Sequence, residues 1–333
     1  MNRKIKIIRD LFFVIGILVL IWMVYRVGFD TIWDNIKSTG WWFFAIIGVW
    51  AFVYSFNGLS FHVILRGSDG AGKVSLLRKI KLMISGFAIN SMTPIGLLGG
   101  EPYKIIELKQ DLGIDQATSG ILLSTMMHFL AHFIFWMASV PIFIFVVPVI
   151  PLGIKILLWG VVLGALLLTY WAFTVFRKGL IHQALGVASQ IPFVKKKVRA
   201  YRAEHAERIA VMDNLMSELY INRKKDFFLA LSCEIIARFL SSVEIMFMAI
   251  PIGYSLSFFD SVIVAAFSSL FANILFFSPM QLGTREGGFG IAFSMLTIPL
   301  GVGVYVGLIT RIREMFWIMV GLILMRIKPS KNV

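Results

Sequence analysis

Charge is scarce in this chain and cysteine is nearly absent. Only 15% of the 333 residues are charged, while 58% are hydrophobic and the mean hydropathy is +0.84. Soluble domains run nearer a quarter charged, so the shortage excludes an ordinary water-soluble globule. The single cysteine, Cys233, excludes an intramolecular disulfide and any cysteine-based metal centre. It lies in an apolar run and reads as a small core residue. No complete P-loop signature, nucleophile elbow or HExxH pair occurs, which leaves soluble-enzyme chemistry nowhere to sit. Zinc-knuckle spacings and a separate basic domain are missing too, so the net charge of +14 does not point to nucleic acid.

What the chain has is long apolar runs. A bilayer core of about 30 Å needs roughly 20 apolar residues per helix. Runs at about 8–27, 41–65, 118–147, 152–176, 227–250 and 302–326 meet that length. Two shorter ones, at about 80–98 and 259–280, end in glycine-rich motifs. The expected fold is an all-α polytopic membrane protein of about six full spans plus two re-entrant or broken-helix segments. The start "MNRKIKIIRD" and the apolar run after it mimic a signal peptide, but "RVGFD" follows in place of a small-residue cleavage site. This reads as a retained first helix.

The positive charge gathers at the ends of these runs, where it sets topology. Arg3, Lys4, Lys6 and Arg9 place the N-terminus in the cytoplasm, and Arg326, Lys328 and Lys331 place the C-terminus there. Residues 26–40, with mixed charge, read as an external loop. Residues 177–226, with "KKKVRAYR" and "NRKK", read as a cytoplasmic linker between a first half, 1–176, and a second, 227–333, of one membrane domain. Within the linker Val198, Tyr201, Ile209, Met212, Leu215, Met216 and Leu219 recur at helical spacing. They predict an amphipathic helix, serving as a connector in preference to a lipid sensor. Counting crossings then makes 80–98 re-entrant from the cytoplasmic side. The stretch 259–300 begins and ends outside, either as a re-entrant hairpin or as a crossing with a short return helix.

The two glycine-rich stretches resemble each other. "GFAINSMTPIGLLGGE" holds Asn90, Pro94 and Glu101; "LFANILFFSPMQLGTRE" holds Asn273, Pro279 and Glu286. In each, the glutamate comes seven residues after the proline. Inverted repeats whose broken helices meet near the midplane are a transporter signature. A broken helix leaves backbone N–H groups unpaired, and these can hold a phosphate or carboxylate. The first motif, 90–104, offers Asn90, Pro94, Gly99, Gly100, Glu101 and Lys104. The second, 279–290, offers Pro279, Arg285, Glu286, Gly287 and Gly288, with Arg285 and Glu286 read as an ion pair. The alternative is that the glycines only make a tight turn.

Charges also fall inside the long runs. Arg311, Arg313 and Glu314 stand well inside the last one, where each costs roughly 2.5–3.5 kcal/mol at mid-bilayer. Arg311 and Glu314 share a helix face, and Arg311 suits a phosphate. Glu234, Arg238, Glu244 and Arg313 read as supporting ion pairs, with Glu234 and Arg238 spaced to pair on one face. His128 and His132 have the spacing of a metal pair but lack a carboxylate motif, and a packed or hydrogen-bonded role is favoured. No metal or cofactor is expected.

"NSMTPIGLLGGEPYKIIELKQDLGIDQATSGILL" and "SPMQLGTREGGFGIAFSMLTIPLGVGVYVGLITRI" resemble the two hallmark regions of the lysylphosphatidylglycerol synthase transmembrane-region family, a flippase-like membrane domain. In its best-known members that domain precedes a soluble aminoacyl-transferase domain, and the membrane part moves the aminoacylated lipid to the outer leaflet. The resemblance implies the flippase-like part without the synthase. The second motif reads "QLGTREGG" where many members are richer in proline and glycine, which leaves the substrate open. The leading expectation is a translocator of an anionic or aminoacylated phospholipid, or of a polyprenyl-linked lipid, in a bacterial inner membrane. The alternatives are a membrane-embedded transferase acting on a lipid phosphate and a non-catalytic partner subunit. Whether it is a homo-oligomer or works with a separate synthase stays open.

Overall fold

The computed structural model describes residues 14, 18, 21–22, 24–25, 28–68, 70–92, 99–147, 150–177, 182–183, 185–186, 189–190, 195–274 and 284–327. Pro94 and Pro279 lie outside the described residues, as do Lys328, Lys331 and most of the first apolar run. The regular structure of the described residues is all helical, with no strand among them. Among the described residues three helices are long and apolar enough to cross a membrane: Trp42–Leu65, Ile114–Val146 and Lys224–Ile252.

The helices are α1 (Phe29–Thr39), α2 (Trp42–Leu65), α3 (Leu76–Met92), α4 (Gly100–Leu112), α5 (Ile114–Val146) and α6 (Leu152–Arg177). They continue as α7 (Lys195–Glu204), α8 (Ala206–Ile221), α9 (Lys224–Ala249), α10 (Phe258–Ile274), α11 (Thr284–Met295) and α12 (Leu300–Arg326). Their boundaries have local causes. Ser75 Oγ accepts the Arg78 N–H and starts α3. Ser257 and Asp260 cap α10 reciprocally: Ser257 Oγ accepts the Asp260 N–H at 3.1 Å and Asp260 accepts the Ser257 N–H at 2.9 Å. Gly113, at φ 77°, makes the corner between α4 and α5 that a side chain would strain.

Two expectations change here. Residues 29–39 form a helix in place of an external loop: Thr31, Thr39 and Asn35 satisfy one another along its turns, and Thr39 Oγ1 meets Tyr305 Oη of α12 at 2.8 Å. In place of the single linker helix expected over 198–219, the described residues form α7 and α8, interrupted at His205. The stretch 99–117 is also helical, as α4 and the first turn of α5, because nothing in "EPYKIIELKQDL" after Pro102 opposes a helix and Pro102 itself sits in the first turn.

Packing is organised around α2, α9 and α12. Helices α2 and α9 run antiparallel in broad contact, with Asn57 beside Glu234 and Trp50 beside Glu244. Helix α12 packs between α3 on one side and α11 on the other. Lys81 Nζ donates to the Ile327 carbonyl and Ser85 Oγ to the Gly321 carbonyl, so α3 and α12 run antiparallel. That register carries the end of α3, at Met92, to the level of Glu314, and Met92 shares a core cluster with Met315. Ile209, Met216 and Leu219 of the linker are buried, and the last two join a cluster with Val63, Met127 and Phe227. The linker's apolar face therefore docks on the protein's own helices. Outer faces are apolar and exposed, as at Ile156, Leu163 and Leu167 of α6, which is the surface a lipid solvent requires.

Candidate functional site

The first motif begins where α3 ends. Asn90 Oδ1 accepts the Gly100 N–H at 2.7 Å and so caps α4 across the break. Gly100 lies so close to the Gly86 backbone that a Cβ would collide with it. Glu101 Oε1 accepts from Lys104 Nζ at 3.1 Å, and the stem of Lys104 packs against Gly86. The sequence-predicted Asn90, Gly99, Gly100, Glu101 and Lys104 thus come together, Asn90 through its side-chain amide and Gly100 through its backbone N–H.

The second motif is helical from Thr284 onward, so Arg285 and Glu286 occupy the first turn of α11. They do not pair with each other, contrary to expectation. Neighbours in a helix point to different faces, so each reaches across to α12. Arg285 binds Glu314, and Glu286 Oε1 accepts from Arg311 Nε at 3.0 Å. Arg311 Nη1 also approaches Glu314, at 3.9 Å. Small residues allow this closeness. Gly303 meets Gly290 backbone to backbone, and a Cβ on Gly307 would lie 2.8 Å from Glu286 Cγ. Gly288 packs on Ser268 of α10, whereas Gly287 faces open space.

A second arginine–glutamate pair lies deeper. Arg313 pairs with Glu244: Nη2 donates to Oε1 at 3.2 Å, and Nε lies 3.1 Å from Oε2 without a hydrogen bond. Trp50 contributes twice: its ring lies 3.9 Å beneath the Arg313 guanidinium, and its indole N–H donates to Glu244 at 2.6 Å. Glu234, expected to face Arg238, instead accepts from Asn57 Nδ2 at 2.8 Å and meets His128 Nδ1 at 3.0 Å. Arg238 lies over the Phe135 ring at 4.7 Å. His132 Nδ1 bonds to the His128 carbonyl oxygen, 3.0 Å away, and its ring sits 4.5 Å from that of His128. No cluster of three or more metal-ligating side chains exists among the described residues.

The charges therefore form a band through the middle of the bundle. It runs from Glu234 and Arg238 on α9, past Glu244, to Arg285 and Glu286 on α11 and Arg311, Arg313 and Glu314 on α12. The side chains of Arg285 and Glu286 keep about a quarter of their surface accessible, while those of Arg311 and Arg313 are 5% and 2% exposed. The rim can meet a ligand and the floor is locked. Sequence reasoning missed Trp50 and Asn57. The signal for Asn57 was one amide in the apolar run "WAFVYSFNGLSF".

Comparison with known proteins gives one match. The family model described as the lysylphosphatidylglycerol synthase TM region matches residues 11–322. No curated protein and no solved structure matches the chain.

Proposed function

Since the chain belongs to the lysylphosphatidylglycerol synthase TM-region family, an integral membrane family, we propose that it is a flippase-like translocator of an anionic or aminoacylated phospholipid. The headgroup passes along the charge band while the acyl chains stay in the bilayer. The observation that carries this reading is the crossed pairing of Arg285 and Glu286 with Glu314 and Arg311, midway along α12 and open at its rim. A purely structural staple in lipid would be sealed, because an accessible charge at mid-bilayer is expensive unless a polar path reaches it. With no nucleotide-binding motif, transport is passive or ion-coupled.

The two halves are read as an inverted repeat. In support, the described residues of each half give the same succession of helices: long, 17 residues, 13 or 12 residues, long. The first of each set, α2 and α9, pair antiparallel. Helix α3 of the first half packs on α12 of the second, and α10 of the second packs on α5 of the first. In this arrangement the motifs of both halves enter the bundle as broken helices, with the termini on the cytoplasmic side of a bacterial inner membrane.

The test is leaflet exchange of labelled phosphatidylglycerol and its lysyl ester in liposomes holding the purified protein. Exchange that disappears in Glu286→Gln and Arg311→Ala supports the reading. Wild-type rates in both variants would overturn the mechanism, and a new covalent lipid product would point to a transferase.

A further inference from the structure

The band holds four arginines, and three of them have carboxylate partners. Arg285 has Glu314, Arg311 has Glu286, and Arg313 has Glu244. Arg238 has no carboxylate partner among the described residues. It stands near the midpoint of α9, half-buried, and its Nε–H is buried without an acceptor. Its neighbour one turn earlier, Glu234, turns away to Asn57 and His128. Arg285 and Glu244 are near enough for their charges to act on it, and so is His132 of α5.

A mid-bilayer guanidinium with an unused donor is costly, and such groups serve a pathway or a partner. The position of this one is fixed. The Phe135 ring holds one face of the guanidinium plane, leaving its edge to donate. That edge is a planar fork suited to a phosphate oxygen pair. Arg285 and Arg311 are less suited, because a phosphate there must first displace a glutamate. Four glutamates match the four arginines in number, but Glu234 is engaged by Asn57 and His128, so among the described residues Arg238 is the arginine of the band left without a carboxylate partner.

We propose that Arg238 is the phosphate seat of the translocation site, taking the phosphodiester of an anionic phospholipid. The inference rests on the translocator reading and adds the residue that grips the headgroup. Arg285 and Glu286 then form the accessible rim through which the headgroup arrives, and Glu244 with Arg313 forms the rigid wall.

The test uses the purified full-length chain in detergent micelles, with phosphatidylglycerol carrying a fluorescent acyl label and a diacylglycerol carrying the same label. Arg238→Gln is expected to weaken phosphatidylglycerol binding at least tenfold and to leave diacylglycerol within twofold. Arg238→Lys, which keeps the charge and loses the fork, should fall between. Because an unpaired charge is removed, Arg238→Gln should melt no lower than wild type. Phosphatidylglycerol binding within twofold of wild type in Arg238→Gln would overturn the proposal, as would equal binding of the two labelled lipids with displacement by inorganic phosphate, the mark of a free-anion site. Should Arg238→Gln fail to fold, Phe135→Leu decides, and unchanged phosphatidylglycerol affinity there overturns the seat. Leaflet exchange separates this inference from its premise. Exchange that survives Arg238→Gln removes the seat and keeps the translocator. Binding that fails in the variant, with no exchange by wild type, keeps the seat and removes the translocator.

Discussion

Replacing Glu244 by glutamine would leave Arg313 charged, 2% exposed and without a counter-ion. Removing one partner of a buried pair costs about 3–5 kcal/mol, mostly through the charge left behind. Part of the environment persists, since the Trp50 ring still lies 3.9 Å under the guanidinium and contributes about 2 kcal/mol when desolvated. Replacing Arg313 by methionine strands the carboxylate in the same way, with only the Trp50 N–H at 2.6 Å to satisfy it. The double variant Glu244→Gln/Arg313→Met carries neither charge, and its glutamine still accepts from Trp50. Each single variant should therefore lose about 3–5 kcal/mol and the double variant less than about 2 kcal/mol, because neutralising both members of a buried pair is often tolerated. Denaturant titration in mixed micelles, read as a double-mutant cycle, measures this directly. Single losses below about 1 kcal/mol, or a double variant equal to the sum of the singles, would refute the claim that this pair is a buried, mutually dependent clamp.

Other perturbations follow from the same geometry. Gly307→Ala places a methyl 2.8 Å from Glu286 Cγ; it should push Glu286 off Arg311 and lower lipid exchange at least tenfold, and near-normal exchange would show that the 286–311 contact is dispensable. Gly100→Ala should destabilise the fold by about 2 kcal/mol or more, as overpacking does, since its Cβ would strike the Gly86 backbone, while Gly287→Ala, with nothing near it, should be silent or stabilise by up to about 1 kcal/mol; equal melting temperatures for the two would refute the packing. His128→Phe removes one of the two partners of the buried Glu234 and should cost about 1–3 kcal/mol, with Asn57→Leu costing a similar amount; no loss in either, by the same titration, would mean that Glu234 is satisfied elsewhere.

Much of this protein was legible along the chain. Apolar length marks the three helices that are long and apolar enough to span among the described residues, since a bilayer core sets a minimum run that few other environments demand. Arginine and glutamate inside an apolar run stand out at once, since insertion makes them costly, and Arg311, Arg313 and Glu314 were legible for that reason. The linker pattern also held in part: Ile209, Met216 and Leu219 are buried as their spacing implied, although His205 divides the helix.

Partners were not legible, and the reason is geometric. Side chains one apart on a helix diverge, so Arg285 and Glu286, adjacent in sequence, each find a partner on α12 instead of each other. Glu234 and Arg238 have the right spacing to meet, yet Asn57 and His128 from α2 and α5 reach Glu234 first, and a carboxylate so supplied has no need of the guanidinium. Periodicity reports a helix face but not what another helix brings to it. The sequence by itself determined the membrane class, the long apolar helices and the charges set inside them, though not the burial of Lys79 and Asp213. Only the tertiary packing, through glycines that let α11 and α12 touch and partners that draw Glu234 away from Arg238, decided which charges cancel and left Arg238 without a carboxylate partner among the described residues.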